Sequence, residues 1–260
     1  MASPRVLRSR DNALLKRLRR LMQAPGHYRR GGSVWVEGEH LCAAACAAGV
    51  DVPLAVASET ALAVPALAAL LAVARERVLV APALFAELSA LESPAAIGFL
   101  LPLPAAPALL ADAATIVLDG VQDAGNVGSV LRSASALGVR QVLALKGSAA
   151  LWSPKVLRAG MGAHFRLRLI EGLAPEDLGA LSVALVATSS HADATLPLAR
   201  LPQPCAWVFG HEGRGVSAAV QDRCALTLRI PQPGGEESLN VAAAAAICLY
   251  ESARQARGSQ

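Results

Sequence analysis

Five polar residues in the second half of this 260-residue chain stand beside glycine-rich turns: Asn126, Arg132, Glu212, Ser238 and Asn240. The stretch 118–139, LDGVQDAGNVGSVLRSASALGV, has the pattern of a strand, a turn and a helix. Asn126 falls at the expected helix cap, and Gly125 and Gly128 strip side-chain bulk from the helix start. Free N–H groups at such an end attract anions. Arg132 comes six residues after Asn126 and lies over Gly128 and Ser129 by helical spacing, so its side chain can turn back toward the same end. An amide and a guanidinium in this arrangement suit a phosphate and a ribose hydroxyl. Taken alone, the pattern also describes an ordinary cap and a surface arginine.

A second turn, Phe209-Gly210-His211-Glu212-Gly213-Arg214-Gly215, follows a strand and packs three glycines into six residues, which opens backbone groups to a ligand. Its spacing is neither that of a dinucleotide fingerprint nor that of a P-loop. Glu212 is placed to meet a cation or cap the next helix, and His211 reads as a loop residue. In a third segment, Ile230 and Pro231 end a strand, Gly234 and Gly235 turn the chain, and Ser238 caps a helix whose first turn carries Leu239 and Asn240. A leucine at that position can pack on an adenine face. Capping and core packing account for the same residues, because Ala242 to Ile247 is a strong helix former.

For these turns to meet, parallel strands must deliver them to one edge of a sheet. The pattern predicts strands at 115–118, 141–145, 183–188, 206–210 and 226–230, helices between most of them, and a closing helix over 238–254. Alternation of this kind implies an α/β fold with a mostly parallel sheet and ligand chemistry at its carboxyl edge. Ahead of it, 12–23 reads as a helix capped by Asn12, with Leu14, Leu15, Leu18, Leu21 and Met22 on one face. Strands at 34–37, 52–56, 78–80 and 97–101 then alternate with helices at 40–48, 64–74 and 82–91. The expected organisation is a smaller α/β domain over 1–101, a linker rich in proline and alanine over 102–113, and a second domain over 114–260.

A hydrophobic share of 54% argues for a folded core, and no apolar run reaches the length of a membrane span. The charged first twenty residues exclude a signal peptide. Five cysteines without a C-x-x-C pair give no metal site and read as packing residues in a reducing, cytoplasmic setting. The net charge of +4 is unevenly spread. Residues 1–30 hold nine Lys/Arg and one acid, a net +8, whereas the other 230 residues are −4. Such a basic head contacts a polyanion, is a solvated helix face or lies on a membrane surface, the last being the weakest reading because the apolar face of 12–23 also suits an ordinary core.

Together, the order and context of the three motifs resemble the SpoU (TrmH-type) branch of the SPOUT RNA methyltransferases: an Asn-x5-Arg motif, an FGxEgxG motif and an IPxxG…SLNV motif. The resemblance covers residues 114 to about 253 closely. The N-terminal half resembles that family's RNA-binding domain more loosely, through its basic helix, Arg29 or Arg30, and VEGEH at 36–40. Departures are Gly160 and Ala242, where relatives often have serine. The resemblance implies a deep trefoil knot, which patterning alone argues against. It further implies a homodimer and transfer of a methyl group from S-adenosylmethionine to a ribose 2′-hydroxyl of RNA, ribosomal RNA ahead of transfer RNA. Cofactor contacts would fall to Gly210, Ile230, Leu239 and Thr188, with catalysis assigned to Arg132, Asn126, Glu212, Asn240 and Ser238. RNA would be held by Arg17, Arg19, Arg20, Arg29 and Arg30. The competing classes are a non-catalytic RNA-binding protein on the same scaffold and an ordinary Rossmann-type methyltransferase or dehydrogenase, the latter opposed by the missing glycine fingerprint after the first strand.

Overall fold

The computed structural model describes residues 3–89, 95–235 and 238–258. They form two compact units, Met1–Ala105 with Trp152–Phe165, and Ala106–Leu151 with Arg166–Gln260.

The first unit runs β1 (Arg5–Leu7), α1 (Ala13–Gln23), α2 (His27–Gly31), β2 (Ser33–Glu37), α3 (Glu39–Ala47), β3 (Leu54–Ser58), α4 (Pro65–Val73), β4 (Glu76–Val80), α5 (Pro82–Ala86) and β5 (Ile97–Pro102). Its sheet has the order β1-β4-β3-β5-β2, with β1 and β3 parallel to β4, and β5 antiparallel to both β3 and β2. Asn12 caps α1 as the sequence predicts, its Oδ1 accepting the Leu14 N–H at 2.9 Å, and Leu15, Leu18 and Leu21 are buried. The helix predicted over 82–91 is shorter. It stops at Ala86, and the Leu88 N–H closes a tight turn onto the Phe85 carbonyl; 90 and 91 lie outside the described residues. Two elements escape the pattern, β1 because it spans three residues and α2 because it is a single turn.

The second unit contains β6 (Thr115–Asp119), α6 (Ala124–Ala136) and β7 (Gln141–Leu145). The chain then passes through α7 (Pro154–Gly160), which packs with β2 of the first unit, before β8 (Arg168–Leu173). The remaining elements are β9 (Ala184–Thr188), β10 (Cys205–Gly210), α8 (Ala218–Gln221), β11 (Leu226–Leu228) and α9 (Val241–Gly258). The order β11-β9-β10-β6-β7-β8 is parallel throughout. Strand β8 was not expected; it is an edge strand interrupted by Arg168 and Glu171 and breaks the apolar run that marks its neighbours. Strand β11 ends at Leu228, two residues before the predicted Ile230, because the chain leaves β9 and Arg229 pairs with Thr195 instead.

Ile116, Val117, Leu118, Leu143, Val208 and Phe209 are fully buried in the central strands, each side chain stabilising the fold by roughly 1.5–3 kcal/mol. From β6 the chain proceeds outward through β7 and β8, and β10 later inserts on the opposite side of β6. The carboxyl ends of β6 and β10 therefore flank a topological switch point, where parallel sheets open a crevice for ligands. Helix α9 packs against α6.

One packing constraint in the first sheet is legible only in three dimensions. The Trp35 ring lies over Gly98, in the position that a Cβ on Gly98 would occupy, and both residues are buried. Gly98→Ala is expected to destabilise the protein by about 1–3 kcal/mol through overpacking, measured as a lowered midpoint in denaturant unfolding. An unchanged midpoint would show that the ring has room to move.

Candidate functional site

Helix α6 begins at Ala124, so Asn126 is its third residue and not its cap. Asp123 takes that role, its Oδ1 accepting the Asn126 N–H at 2.7 Å. This corrects the sequence reading and frees the Asn126 side chain. Its Nδ2 donates to Glu212 Oε1 at 3.2 Å, and its Oδ1 accepts from Asn240 Nδ2 at 2.9 Å. Glu212 also accepts the N–H groups of Gln122 at 3.2 Å and Asp123 at 3.1 Å. One carboxylate thus ties the turn after β10 to the turn after β6, and Asn126 carries the link to Asn240.

The second correction concerns the third motif. Helix α9 starts at Val241, and its cap is Asn240, not Ser238: Asn240 Oδ1 accepts the N–H groups of Ala242 at 2.9 Å and Ala243 at 3.3 Å. Ser238 and Leu239 precede the helix and are exposed. Asn240 thereby uses its oxygen for the helix and its amide for Asn126, a division that fits one orientation of the side chain.

Burial works to raise the Glu212 pKa, but the N–H groups of Glu212 itself, Asp123 and Gln122, together with the Asn126 amide, outweigh it and hold the carboxyl below its ordinary range. His211 is a loop residue as expected, its Nδ1 accepting the Gly213 N–H at 2.9 Å. The turn closes through His211 N–H to the Gly215 carbonyl at 2.9 Å and the reverse bond at 2.8 Å. Gly210 is required for a different reason than room for a ligand: a Cβ there would collide with the backbone of Gly215 and Val216.

Along the carboxyl edge, Ile230 lies just past β11, Thr188 ends β9 and Gly210 ends β10, so these three stand at successive strand ends, next to the turn after β6. Ile230 is half-buried, Leu239 is 38% exposed, and the Gln232 Oε1 between them in sequence is buried with no hydrogen-bond partner among the described residues. Arg132 lies on α6, exposed, and its side chain makes no hydrogen bond or ion pair with a described residue. The structure thus joins Asn126, Glu212 and Asn240 by hydrogen bonds, and leaves Arg132 and Ser238 outside that network. Asp123 was missed, although an aspartate three residues ahead of a helical N–H is itself a capping signal.

The basic residues of the first unit divide into two sets. Arg5 pairs with Glu76 at 3.2 Å, Arg8 with Glu59 at 3.0 Å, Arg10 with Glu87 at 3.4 Å and Lys16 with Asp11 at 3.0 Å. Arg19 meets Glu87 at 3.5 Å and the Arg10 carbonyl at 2.8 Å, and only 19% of its side chain is exposed. Arg17 donates to Ser33 Oγ at 2.6 Å, and Arg29 lies 5.3 Å from the centre of the Tyr28 ring. Arg20 and Arg30 are exposed and ion-pair with no described residue.

The five cysteines are free thiols; burial pushes Cys205 up to about 11 and Cys248 up to about 12, which suits packing rather than reactivity. Among the described residues no cluster of His, Cys, Asp or Glu could hold a metal, and no helix is long and apolar enough to cross a membrane.

A parallel α/β unit with three polar turns gathered at its switch point defines the general class of ligand-binding α/β domains. The chain belongs to the SpoU rRNA methylase family, whose model matches residues 113–250. It is 38% identical over 156 residues to the 23S rRNA (guanosine-2′-O-)-methyltransferase RlmB of Bordetella pertussis, covering 58% of this chain and 62% of that protein. The chain therefore spans somewhat over half the length of the curated relatives it matches. The SpoU methyltransferase AviRb of Streptomyces viridochromogenes, solved with AdoMet, superposes with a TM-score of 0.86 at 27% identity, covering 95% of this chain and 98% of that one. A solved RNA 2′-O ribose methyltransferase gives 0.81 at 32% identity, covering 97% and 99%.

Because the folded-state pKa of Glu212 lies below its ordinary value, its contribution is full at neutral pH, persists as pH falls into the ordinary carboxylate range, and is lost as pH falls through the depressed value. Glu212→Ala should therefore lower the protection of the Gln122 and Asp123 amides against hydrogen exchange at neutral pH, measured relative to the intrinsic rate at each pH, and remove the acid-induced loss of protection expected of the parent. Identical exchange in the two proteins would show that the carboxylate does not hold the turns together.

Proposed function

We propose that the protein methylates a ribose 2′-hydroxyl of RNA, ribosomal RNA in particular, using S-adenosylmethionine. The observation that carries this reading is the hydrogen-bonded chain Glu212–Asn126–Asn240, which brings all three family motifs to one sheet edge. The residues fit the cofactor. Ile230 and Leu239 offer partly exposed apolar surface for an adenine, Gln232 Oε1 is a buried acceptor without a partner among the described residues, and Thr188 and Gly210 end the adjacent strands.

S-adenosylmethionine supplies a methyl group on a sulfonium centre. The chain's task is to align the ribose hydroxyl and stabilise it as its proton leaves. A guanidinium cannot accept that proton, so Arg132 acts by holding negative charge on the oxygen, and water or an RNA phosphate receives the proton. Among the described residues its side chain has no hydrogen-bond or ion-pair partner, which leaves its donors available for that purpose. Asn126 and Asn240 orient the ribose, and Glu212 fixes Asn126. Ser238, exposed just before α9, adds a polar contact at the mouth of the site.

The finer features of the family resemblance belong to the same proposal. The 114–260 domain is knotted, and residues 1–101, joined by the linker at 102–113, recognise structured RNA through shape and backbone contacts. The protein forms a homodimer through α6 and α9, a reading supported by exposed Ile247 and Tyr250 on α9. Solvent exposure supports a narrower set of RNA-contacting arginines. Arg20, Arg29 and Arg30 carry the contact, and Arg17 contributes beyond its bond to Ser33. Arg19, largely covered and bonded to Glu87, mainly holds the first unit together.

Arg132→Ala is expected to bind S-adenosylmethionine as the parent does and to lose methyl transfer by about a hundredfold or more. Gly210→Val should lose cofactor binding, because the added side chain breaks the loop from within. Calorimetric titration and turnover on rRNA test both; near-parental turnover by the Arg132 variant sinks its assignment, and parental cofactor binding by Gly210→Val sinks that of the loop.

Reversing Arg20, Arg29 and Arg30 to Glu should weaken RNA binding and flatten its salt dependence, since each lost phosphate contact removes roughly 0.7–0.9 from the logarithmic slope. Arg19→Glu should instead lower thermal stability more than RNA affinity. The reverse ranking in filter binding and thermal melts would restore Arg19 as a contact residue.

A further inference from the structure

Asp119 ends β6 and pairs in register with Gly210 at the end of β10. Its Oδ2 accepts the Ser217 N–H at 2.6 Å. The loop between Gly210 and Ser217 therefore has both ends fixed on one residue of the neighbouring strand. One end is held by the sheet ladder and the other by a carboxylate. Within that span, His211 and Gly215 exchange backbone hydrogen bonds, Gly215 takes φ +70°, and the Gly210 Cα lies directly against the backbone of Gly215 and Val216. Glu212 projects from this closed loop to the Gln122 and Asp123 amides.

We propose that Asp119 is a positioning residue for cofactor binding: its carboxylate closes the 210–217 loop and so sets the place of Gly210 and Glu212. The proposal rests on the assignment of that loop to S-adenosylmethionine. The chemistry favours a carboxylate acceptor, because a backbone N–H bonded to a charged oxygen is held about twice as strongly as one bonded to a neutral oxygen. The only requirement on the donor side is an N–H at residue 217. Ser217 has φ −67°, a value that proline also adopts, so Ser217→Pro removes the donor without straining that torsion.

Asp119→Ala should weaken S-adenosylmethionine binding by about tenfold or more, the loss of one charge-assisted hydrogen bond. Asp119→Asn keeps an acceptor oxygen and should recover most of the affinity. Ser217→Pro should weaken binding as Asp119→Ala does, and the double variant should be little worse than either single one, since both remove the same bond. RNA affinity should remain parental, which separates loop positioning from general loss of structure. Hydrogen exchange at the Ser217 and Gly215 amides provides a readout free of the cofactor: it should quicken in Asp119→Ala and stay slow in Asp119→Asn.

Additive losses in the double variant, or parental cofactor affinity in Asp119→Ala with quickened exchange, overturn the proposal. If Asp119→Ala does not fold, Ser217→Pro and Asp119→Asn still decide it: parental cofactor affinity in the first, or a loss in the second as large as that in the first, overturns the positioning role. Should the parent protein bind no S-adenosylmethionine, the functional reading fails, and the exchange rates alone judge whether Asp119 closes the loop.

Discussion

Glu212 sits where two chain segments far apart in sequence have to agree. The turn after β6 presents the N–H groups of Gln122 and Asp123, which face the end of the sheet rather than a helix carbonyl. Left without an acceptor, such groups would depend on water, and the turn would keep several conformations. The carboxylate from the β10 turn fills that role and, with its second set of contacts, fixes the Asn126 amide. Because Asn126 in turn engages the residue that caps α9, a disturbance at Glu212 reaches the closing helix through three hydrogen bonds.

Much of this was visible in the sequence. The three glycine-rich turns, the central strands and the alternation that makes the second sheet parallel follow from local pattern, and β7 matches its expected span, Gln141–Leu145. The roles within the turns did not. Asp123 and Asn126 are both good capping residues, and local chemistry does not choose between them. The choice is made by a carboxylate 89 residues away from Asp123, which leaves Asn126 to bridge rather than cap. Ser238 and Asn240 pose the same ambiguity, resolved by the bond from Asn240 to Asn126. In each case a long-range hydrogen bond decides which of two equivalent side chains caps.

The N-terminal basic stretch shows the reverse situation. Its +8 charge is plain in the sequence, but charge alone does not say which side chains face solvent. Acids supplied by later segments, Glu59, Glu76 and Glu87, neutralise much of it within the unit. Exposed pairs of this kind contribute little to stability, typically ~0–1 kcal/mol each, but they bring loops and strand ends of the unit together. Arg20 at the end of α1 and Arg30 on α2 are exposed and ion-pair with no described residue. Similarly, nothing in the sequence singles out Gly98; its constraint shows only once the Trp35 ring is placed over it.

The return of residues 152–165 to the first unit has a consequence for how the chain can be divided. Between β7 and β8 the polypeptide contributes Trp152, Val156 and Leu157 to the first unit's interior, at 8%, 0% and 1% exposure. The boundary between the units is therefore not a point on the sequence, and no single cut separates them. A fragment beginning near residue 106 would carry this apolar segment without its cover, and one ending there would lack part of its own packing. Either fragment would present an exposed hydrophobic patch of the kind that drives aggregation. The family-matched segment 113–250 includes this excursion, so a splice at the proline-rich linker alone would leave residues 152–165 on one side and the packing they complete on the other.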